Sequence, residues 1–366
     1  MNSVAIIGAG PAGTAAAIHL GQLGVRDVVL VDRYNFPRHK TCGGGISPKG
    51  IEALKTLGVW EQVLPHAYTI GGLRLVLPGG REIFASGGED SAAIICNRRV
   101  FDHLLLQRAL SLGVKFIPHF DARELIYDGV RVAGIKDRDG TTIRANYTVV
   151  ANGAHSGFTL NPRPRRLIQA VMGWWENVLY KPRHVEMVFD RMVAPYYGWL
   201  FPETETRVNI GICYEDDTHS KNARTLFQQF LQKHYKERLA GAAQVGDWKG
   251  HPISYTYRVG QLQSPGRLVI GEAGRMAHPA TAEGIYQGMR SGIFAAEALR
   301  DALRETRSEE KVFEEYEARC RKAFQLSFMS AKLWRCAVQT PILDWVAGFG
   351  QRPMVKTALA KLMSQM

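Results

Sequence analysis

The chain has 366 residues, 46% hydrophobic and 22% charged, enough to bury a sizeable core in one or two domains and too apolar to stay disordered. Its formal net charge of +12 suits phosphates, acidic lipid headgroups or an acidic protein, but the basic residues are scattered without interleaved aromatics, which argues against nucleic acid. The five cysteines (Cys42, Cys96, Cys213, Cys320 and Cys336) are odd in number and contain no C-x-x-C pair, which argues against a disulfide framework or a structural zinc site and leaves no metal ligand set in view.

An apolar strand begins within the first few residues, so no cleavable signal peptide is expected. No run reaches the ~18 apolar residues of a membrane-spanning helix, and the expected location is the cytoplasm. "SVAIIGAGPAG" then gives a buried-strand pattern ending in Gly8, Gly10 and Gly13, the G-x-G-x-x-G of a dinucleotide site. Gly8 permits the tight turn, Gly10 lets a pyrophosphate approach the backbone, and Gly13 lets the following helix pack on the strand. That helix aims its first amides at the phosphates. The next apolar run, "VVLVD", ends in Asp32, about 20 residues past the glycines, where a carboxylate holds a ribose hydroxyl.

"NFPRHKTCGGGISPKG" follows at once. Consecutive glycines let backbone amides come close to a planar ring and permit positive φ. Farther on, "ELIYDGVRVAGIKDRDGTTIRANYTVV" alternates apolar and polar residues around Asp128-Gly129 and Asp139-Gly140, a meander feeding a third parallel strand near Thr148 to Ala151. Period-two runs "LIQAVMGWW", "HVEMVFD", "YYGWLFP" and "TRVNIGIC" predict an antiparallel sheet over a pocket, with Val185, Met187 and Phe189 on one face. In "RLVIGEAGRMAHPATAEGIYQGMRSG" a strand runs into Gly271, Glu272 and a proline loop before a helix opens at Gly284. The tail reads as helices: residues 308 to 338 carry Phe313, Tyr316, Phe324 and Phe328 among charges, and Trp345, Phe349, Met354 and Lys356 beyond them suit a packed helix or a lipid or partner interface.

These segments together resemble the geranylgeranyl reductases, within the flavoproteins related to para-hydroxybenzoate hydroxylase. The resemblance runs through the glycine fingerprint, "P-R-x-K-x-C-G-G-G-I", "R-x-x-F-D" at Arg98, "ANGAHS", "YGWLFP" and the second FAD fingerprint with its proline and E-G, and it covers nearly the whole chain to about residue 305. It implies an α/β chain with a Rossmann-like FAD-binding domain (1–70, 96–160 and 255–305), an inserted antiparallel-sheet substrate domain (71–95 and 161–254) and a C-terminal helical region (306–366). It also implies FAD, with Glu272 on the ribityl chain, Gly284 opening a helix toward the flavin pyrimidine, and Arg98 lying along the cofactor. Arg38 and Lys40 come near its phosphates and ring, where their charge favours an anionic reduced flavin. The cofactor set extends to Ala12, Arg33, Gly43, Gly44, Asn152, Gly153, Pro279 and Ile285. Asn152 and Glu272 both stand where the family usually has aspartate, and Asn152 counts against assuming that NAD(P)H docks directly as a transient electron donor.

By the same resemblance Cys42 projects into the substrate cavity, where it is a proton donor or only a small buried residue. Tyr197, Trp199 and Phe201 line the pocket opposite the flavin, with Tyr197 a catalytic candidate that, like Cys42 or ordered water, manages the proton, and His278 is an acid or base near the ring or a water-exposed loop histidine. The leading expectation is an FAD-dependent oxidoreductase of geranylgeranyl reductase type, moving hydride to a mainly apolar substrate. Alternatives are a monooxygenase acting on an aromatic ring, in a small molecule or in a tryptophan of an acidic partner protein, and a halogenase, though "GWWENV" is not the halogenase W-x-W-x-I-P. A membrane-associated flavin electron carrier, held peripherally by the tail helices, is the reading from outside enzymology.

Overall fold

A computed structural model describes residues 2–86, 93–218, 220–305 and 307–340. Trp345, Phe349, Met354 and Lys356 lie outside them. β1 (Asn2–Ile7), α1 (Pro11–Gln22) and β2 (Val28–Val31) form the opening unit, with Val4 beside Val28 and Ile7 beside Val31 in parallel register. Both strands bury side chains on both faces, which is why they read as unbroken apolar runs.

The chain then leaves the parallel sheet through β3 (Gly45–Ile46), α2 (Pro48–Leu57), α3 (Trp60–Val63), β4 (Ala67–Ile70), β5 (Gly72–Val76), β6 (Glu82–Ser86) and β7 (Ala93–Cys96). It returns by α4 (Arg98–Ser111) to β8 (Lys115–Ile117), parallel to β2. The predicted meander follows as β9 (Ala122–Asp128), β10 (Arg131–Asp137) and β11 (Thr142–Val150), with Gly129 and Gly140 at positive φ in its turns. β11 serves twice: its first residues pair antiparallel with β10, and its last pair parallel with β1.

The second sheet takes β12 (Arg166–Glu176), β13 (His184–Val188), β14 (Gly198–Pro202) and β15 (Arg207–Tyr214). α5 (Ala223–His234) and α6 (Lys236–Leu239) come next, with the helical residues Phe227 and Phe230 packed among inward residues of β12, β14 and β15, and then β16 (Ala243–Gln244) and β17 (Lys249–Tyr255) pair with β12. β5 and β6 extend its other edge, and β5 runs parallel to β13. The expected antiparallel sheet is therefore mixed at one pair, because β5 arrives from a distant segment and no hairpin sets its direction. Residues 93–95 also depart from expectation: β7 pairs with β3 and β4 in a small separate sheet.

β18 (Gln263–Ser264) turns through Gly266 into β19 (Arg267–Val269), which runs parallel to β11 and completes the first sheet. α7 (Ile285–Leu303) lies on α1 so closely that a Cβ at Gly292 would stand 2.5 Å from the Ala12 carbonyl oxygen. α8 (Glu309–Val338) closes the described chain as one helix of 30 residues. It packs back through Phe313, Tyr316, Phe324 and Phe328, all buried, and the Tyr316 hydroxyl donates to the Val269 carbonyl at 2.7 Å. Its other face leaves Leu326, Met329 and Leu333 exposed. Among the described residues no helix is long and apolar enough to cross a membrane.

Candidate functional site

A cavity of about 830 Å³ opens between the two sheets, and its two halves differ in chemistry. At one end the three fingerprint glycines divide their work. A Cβ at Gly8 would sit 2.6 Å from the Ala151 carbonyl oxygen, and one at Gly13 would collide with the Gly8 carbonyl, so both answer to backbone packing. Gly10 faces open space, with only Arg38 Nη2 at 3.9 Å, and caps the N-terminus of α1. Asp32 is fixed at the cavity edge by the amides of Ala9 (2.8 Å to Oδ2) and Tyr34 (2.9 Å to Oδ1). Arg33 lines the same end, its guanidinium over the Tyr34 ring.

Asp102 anchors the arginines. Fully buried, it pairs with Arg98 through both oxygens (2.7 and 2.9 Å) and with Arg38 at 3.2 Å. The Nε of Arg38 and the Oδ1 of Asn152 are buried without a hydrogen-bond partner. Leaving such groups unmade costs about 1–3 kcal/mol each, so a ligand carrying both anionic oxygens and donors belongs here. Lys40 Nζ donates to His251 Nε2 at 2.5 Å; burial and the Arg98 charge pull Lys40 down to about 8, while burial and Lys40 push His251 down to about 3. Glu272 accepts the Ser254 amide at 2.8 Å, and burial holds its carboxyl above the ordinary range. Open glycine backbone at a helix N-terminus, a cationic wall and an orphaned guanidinium N–H fit the pyrophosphate of FAD.

The other half is apolar. Cys42 accepts the Gly44 amide at 3.4 Å, and a Cβ at Gly43 would lie 2.9 Å from the Phe201 ring and 3.2 Å from Trp199 Nε1. The glycine loop thus faces β14 across a gap only a side-chain-free residue permits. Trp199 is held by its indole N–H to Asn209 Oδ1 (2.7 Å), and Asn209 in turn donates to the Gly173 carbonyl (3.1 Å). Gly211, opposite Trp199 across the β14–β15 ladder, leaves room for the indole, which a Cβ there would strike. Met172, Val185, Met187, Cys213 and Ile253 complete the walls, from four strands in period-two positions. Tyr197 lines this half and donates its hydroxyl to the Thr281 carbonyl.

Of the expected residues, Ala12, Gly44, Gly153, Gly284 and Ile285 line the cavity with those already placed. Gly13, His278 and Pro279 do not. His278 is 2% exposed; its Nδ1 accepts from the amides of Ala280 (3.2 Å) and Thr281 (3.1 Å), which leaves the proton on Nε2, 2.9 Å from Ser327 Oγ of α8. Burial lowers its pKa to about 4, so it is a neutral strut between loop and helix, neither an acid–base group at the ring nor a water-exposed histidine. Sequence reasoning missed Asp102, Asn209, His251 and Glu283. Asp102 stood within the quoted R-x-x-F-D and Glu283 within E-G, but the other two owe their roles to pairing across strands.

Residues 1–330 match the family model described as FAD binding domain. The chain is 30% identical over 325 residues to a menaquinone reductase of Mycobacterium tuberculosis, covering 82% of this chain and 78% of that one. It is 27% identical over 354 residues to digeranylgeranylglycerophospholipid reductase 1 of Methanopyrus kandleri, covering 93% and 91%. The solved structure of a geranylgeranyl bacteriochlorophyll reductase-like protein from Thermoplasma acidophilum superposes with a TM-score of 0.82 at 20% identity, covering 92% and 87%.

Proposed function

From the premise that this chain belongs to the FAD-binding family, as an FAD-dependent oxidoreductase, we propose that it saturates a carbon–carbon double bond in a polyprenyl lipid. The observation that carries the reading is the apolar slot between the Cys42–Gly45 loop and the Trp199–Phe201 face, which is continuous with the cationic nucleotide end. When bound and reduced, FAD supplies the hydride. The chain's own residues do the rest. The α1 amides and Arg38 would hold the pyrophosphate and Asp32 a ribose, and Lys40 and Arg98 would balance the negative charge of the bound cofactor. Met172, Met187 and Trp199 orient an apolar chain and exclude water, and Cys42 faces it from the glycine loop.

Substrate of this kind resides in a bilayer, and α8 offers a place to meet one. Leu326, Met329 and Leu333 are exposed at helical spacing beside exposed Lys322 and Lys332, a pattern suited to an anionic lipid surface. Trp334, next along the helix, lines a small space shared with Met187 and Tyr197 of the main cavity.

The test uses protein reduced anaerobically with dithionite and offered either digeranylgeranylglycerophospholipid or menaquinone in detergent. Mass spectrometry should find product heavier by a pair of hydrogens per bond reduced. Unchanged lipid in both incubations would overturn the reading, and oxygen incorporated into an aromatic substrate under air would replace it with the monooxygenase.

A further inference from the structure

Saturating a double bond needs a proton as well as a hydride, and few groups in the apolar half can part with one. Tyr197 has its O–H committed to the Thr281 carbonyl, and burial raises its pKa well above the ordinary phenol value. Glu272 sits at the cationic end and faces Lys40 and Arg98. Glu283 is placed differently. It lines the cavity at the seam where the loop before α7, the start of α2 and Tyr197 at the entry to β14 converge. Ser47 Oγ, at the N-cap of α2, donates to one carboxyl oxygen at 2.5 Å, and the Gln287 side chain, one turn into α7, approaches the same carboxyl.

The titratable groups around it are Lys49 of α2, Tyr197 just before β14 and Tyr286 of α7. Burial outweighs the two hydrogen bonds and the Lys49 charge and holds the carboxyl above its ordinary range. Gln287 is 2% exposed and its Oε1 has no partner, so hydrogen-bonding capacity is left over directly behind the Glu283 carboxyl.

We propose that the Glu283 carboxyl donates the proton that completes reduction of the double bond. The inference rests on the reductase reading above. Bound reduced FAD would supply the hydride for one alkene carbon and be oxidised in doing so, while the Glu283 O–H breaks and its proton forms the C–H bond at the other carbon. The O–H electron pair stays on the carboxylate, which Ser47 Oγ–H and the Gln287 amide then hold. Water reaching Ser47, partly exposed at the first turn of α2, returns the proton.

The experiment compares wild type, Glu283→Gln and Glu283→Asp, each loaded with FAD, reduced anaerobically and mixed with digeranylgeranylglycerophospholipid in a single turnover across a pH series. Product formation by the wild type should fall as pH rises through the carboxyl's titration. Glu283→Gln should be slower by about 100-fold or more and lose that pH dependence, with Glu283→Asp between them, while all three keep the same FAD affinity. Independently of turnover, the infrared difference between wild type and Glu283→Gln at neutral pH should show the carbonyl band of one protonated acid. An active wild type matched by Glu283→Gln in rate and pH profile, or a difference spectrum showing only ionised carboxylate, overturns the proposal alone. A wild type that leaves the lipid unchanged overturns the reductase reading and this role with it.

Discussion

Tyr197, the residue that leads into β14, gives its hydroxyl hydrogen to the main-chain carbonyl of Thr281, so the substrate-facing sheet is tied to the loop that introduces Glu283 and α7. Tyr197→Phe keeps the ring and takes the donor from that half-buried carbonyl, at a cost of about 1 kcal/mol. Denaturant unfolding of the FAD-loaded protein should register this loss, and KM for the lipid should rise about 5- to 10-fold with the flavin retained. Unchanged stability and KM would show that the tether does nothing.

The fingerprint glycines predict opposite failures. Gly10→Val places a side chain in open space, so the apoprotein should melt as wild type does yet fail to retain FAD. Gly13→Val drives atoms into the Gly8 carbonyl and should abolish soluble expression. A Gly10→Val protein that purifies yellow would contradict the placement of the pyrophosphate.

Lys40 titrates at about 8 before an anion binds, because burial and Arg98 disfavour its charge. FAD phosphates favour that charge, so binding takes up a proton and affinity should fall as pH rises from about 7 to about 9. Isothermal titration of apoprotein in two buffers of different ionisation heat measures the uptake. Lys40→Met should bind about 10-fold more weakly at the lower pH and lose the slope.

His278 is neutral in the folded chain, with a pKa of about 4 against the ordinary 6.5. As pH falls below 6.5 the unfolded chain takes up the proton first, so this contribution is whole above 6.5 and gone by about 4. Its size is on the order of 3 kcal/mol. Chemical denaturation between those pH values should show a steeper loss in wild type than in His278→Gln, and equal slopes would remove His278 as the cause.

Replacing Leu326 and Leu333 of α8 together by glutamate should abolish co-sedimentation with vesicles of anionic phospholipid while FAD stays bound. Sedimentation equal to wild type would place any lipid contact elsewhere.

The first sheet and its cofactor end were largely legible because backbone geometry there dictates residue type. Gly8 at a φ of 104° and Gly13 against the Gly8 carbonyl tolerate nothing larger, so the pattern is written into the sequence. Trp199 and Phe201 were legible through strand alternation. What stayed hidden depends on residues distant in sequence: Asn209 matters because β15 sets it beside Trp199, and His251 because β17 brings it to Lys40. His278 read as a loop histidine beside a flavin motif, since nothing local announces that Ser327 of α8 will cover it. The parallel β5–β13 pair was invisible for the same reason.

The order of strands in the first sheet has a consequence for how the protein is made. β1 leaves the ribosome well before its partners: its neighbour β11 pairs with β19, and α7 packs against α1. The Gly10 turn therefore has no finished surroundings until α7 has emerged, and most of the chain must wait through synthesis with apolar strands β1 and β2 incompletely covered. Cofactor loading is thus a late event in biogenesis, and a nascent chain stalled before α7 is exposed to aggregation that a supply of FAD does not relieve.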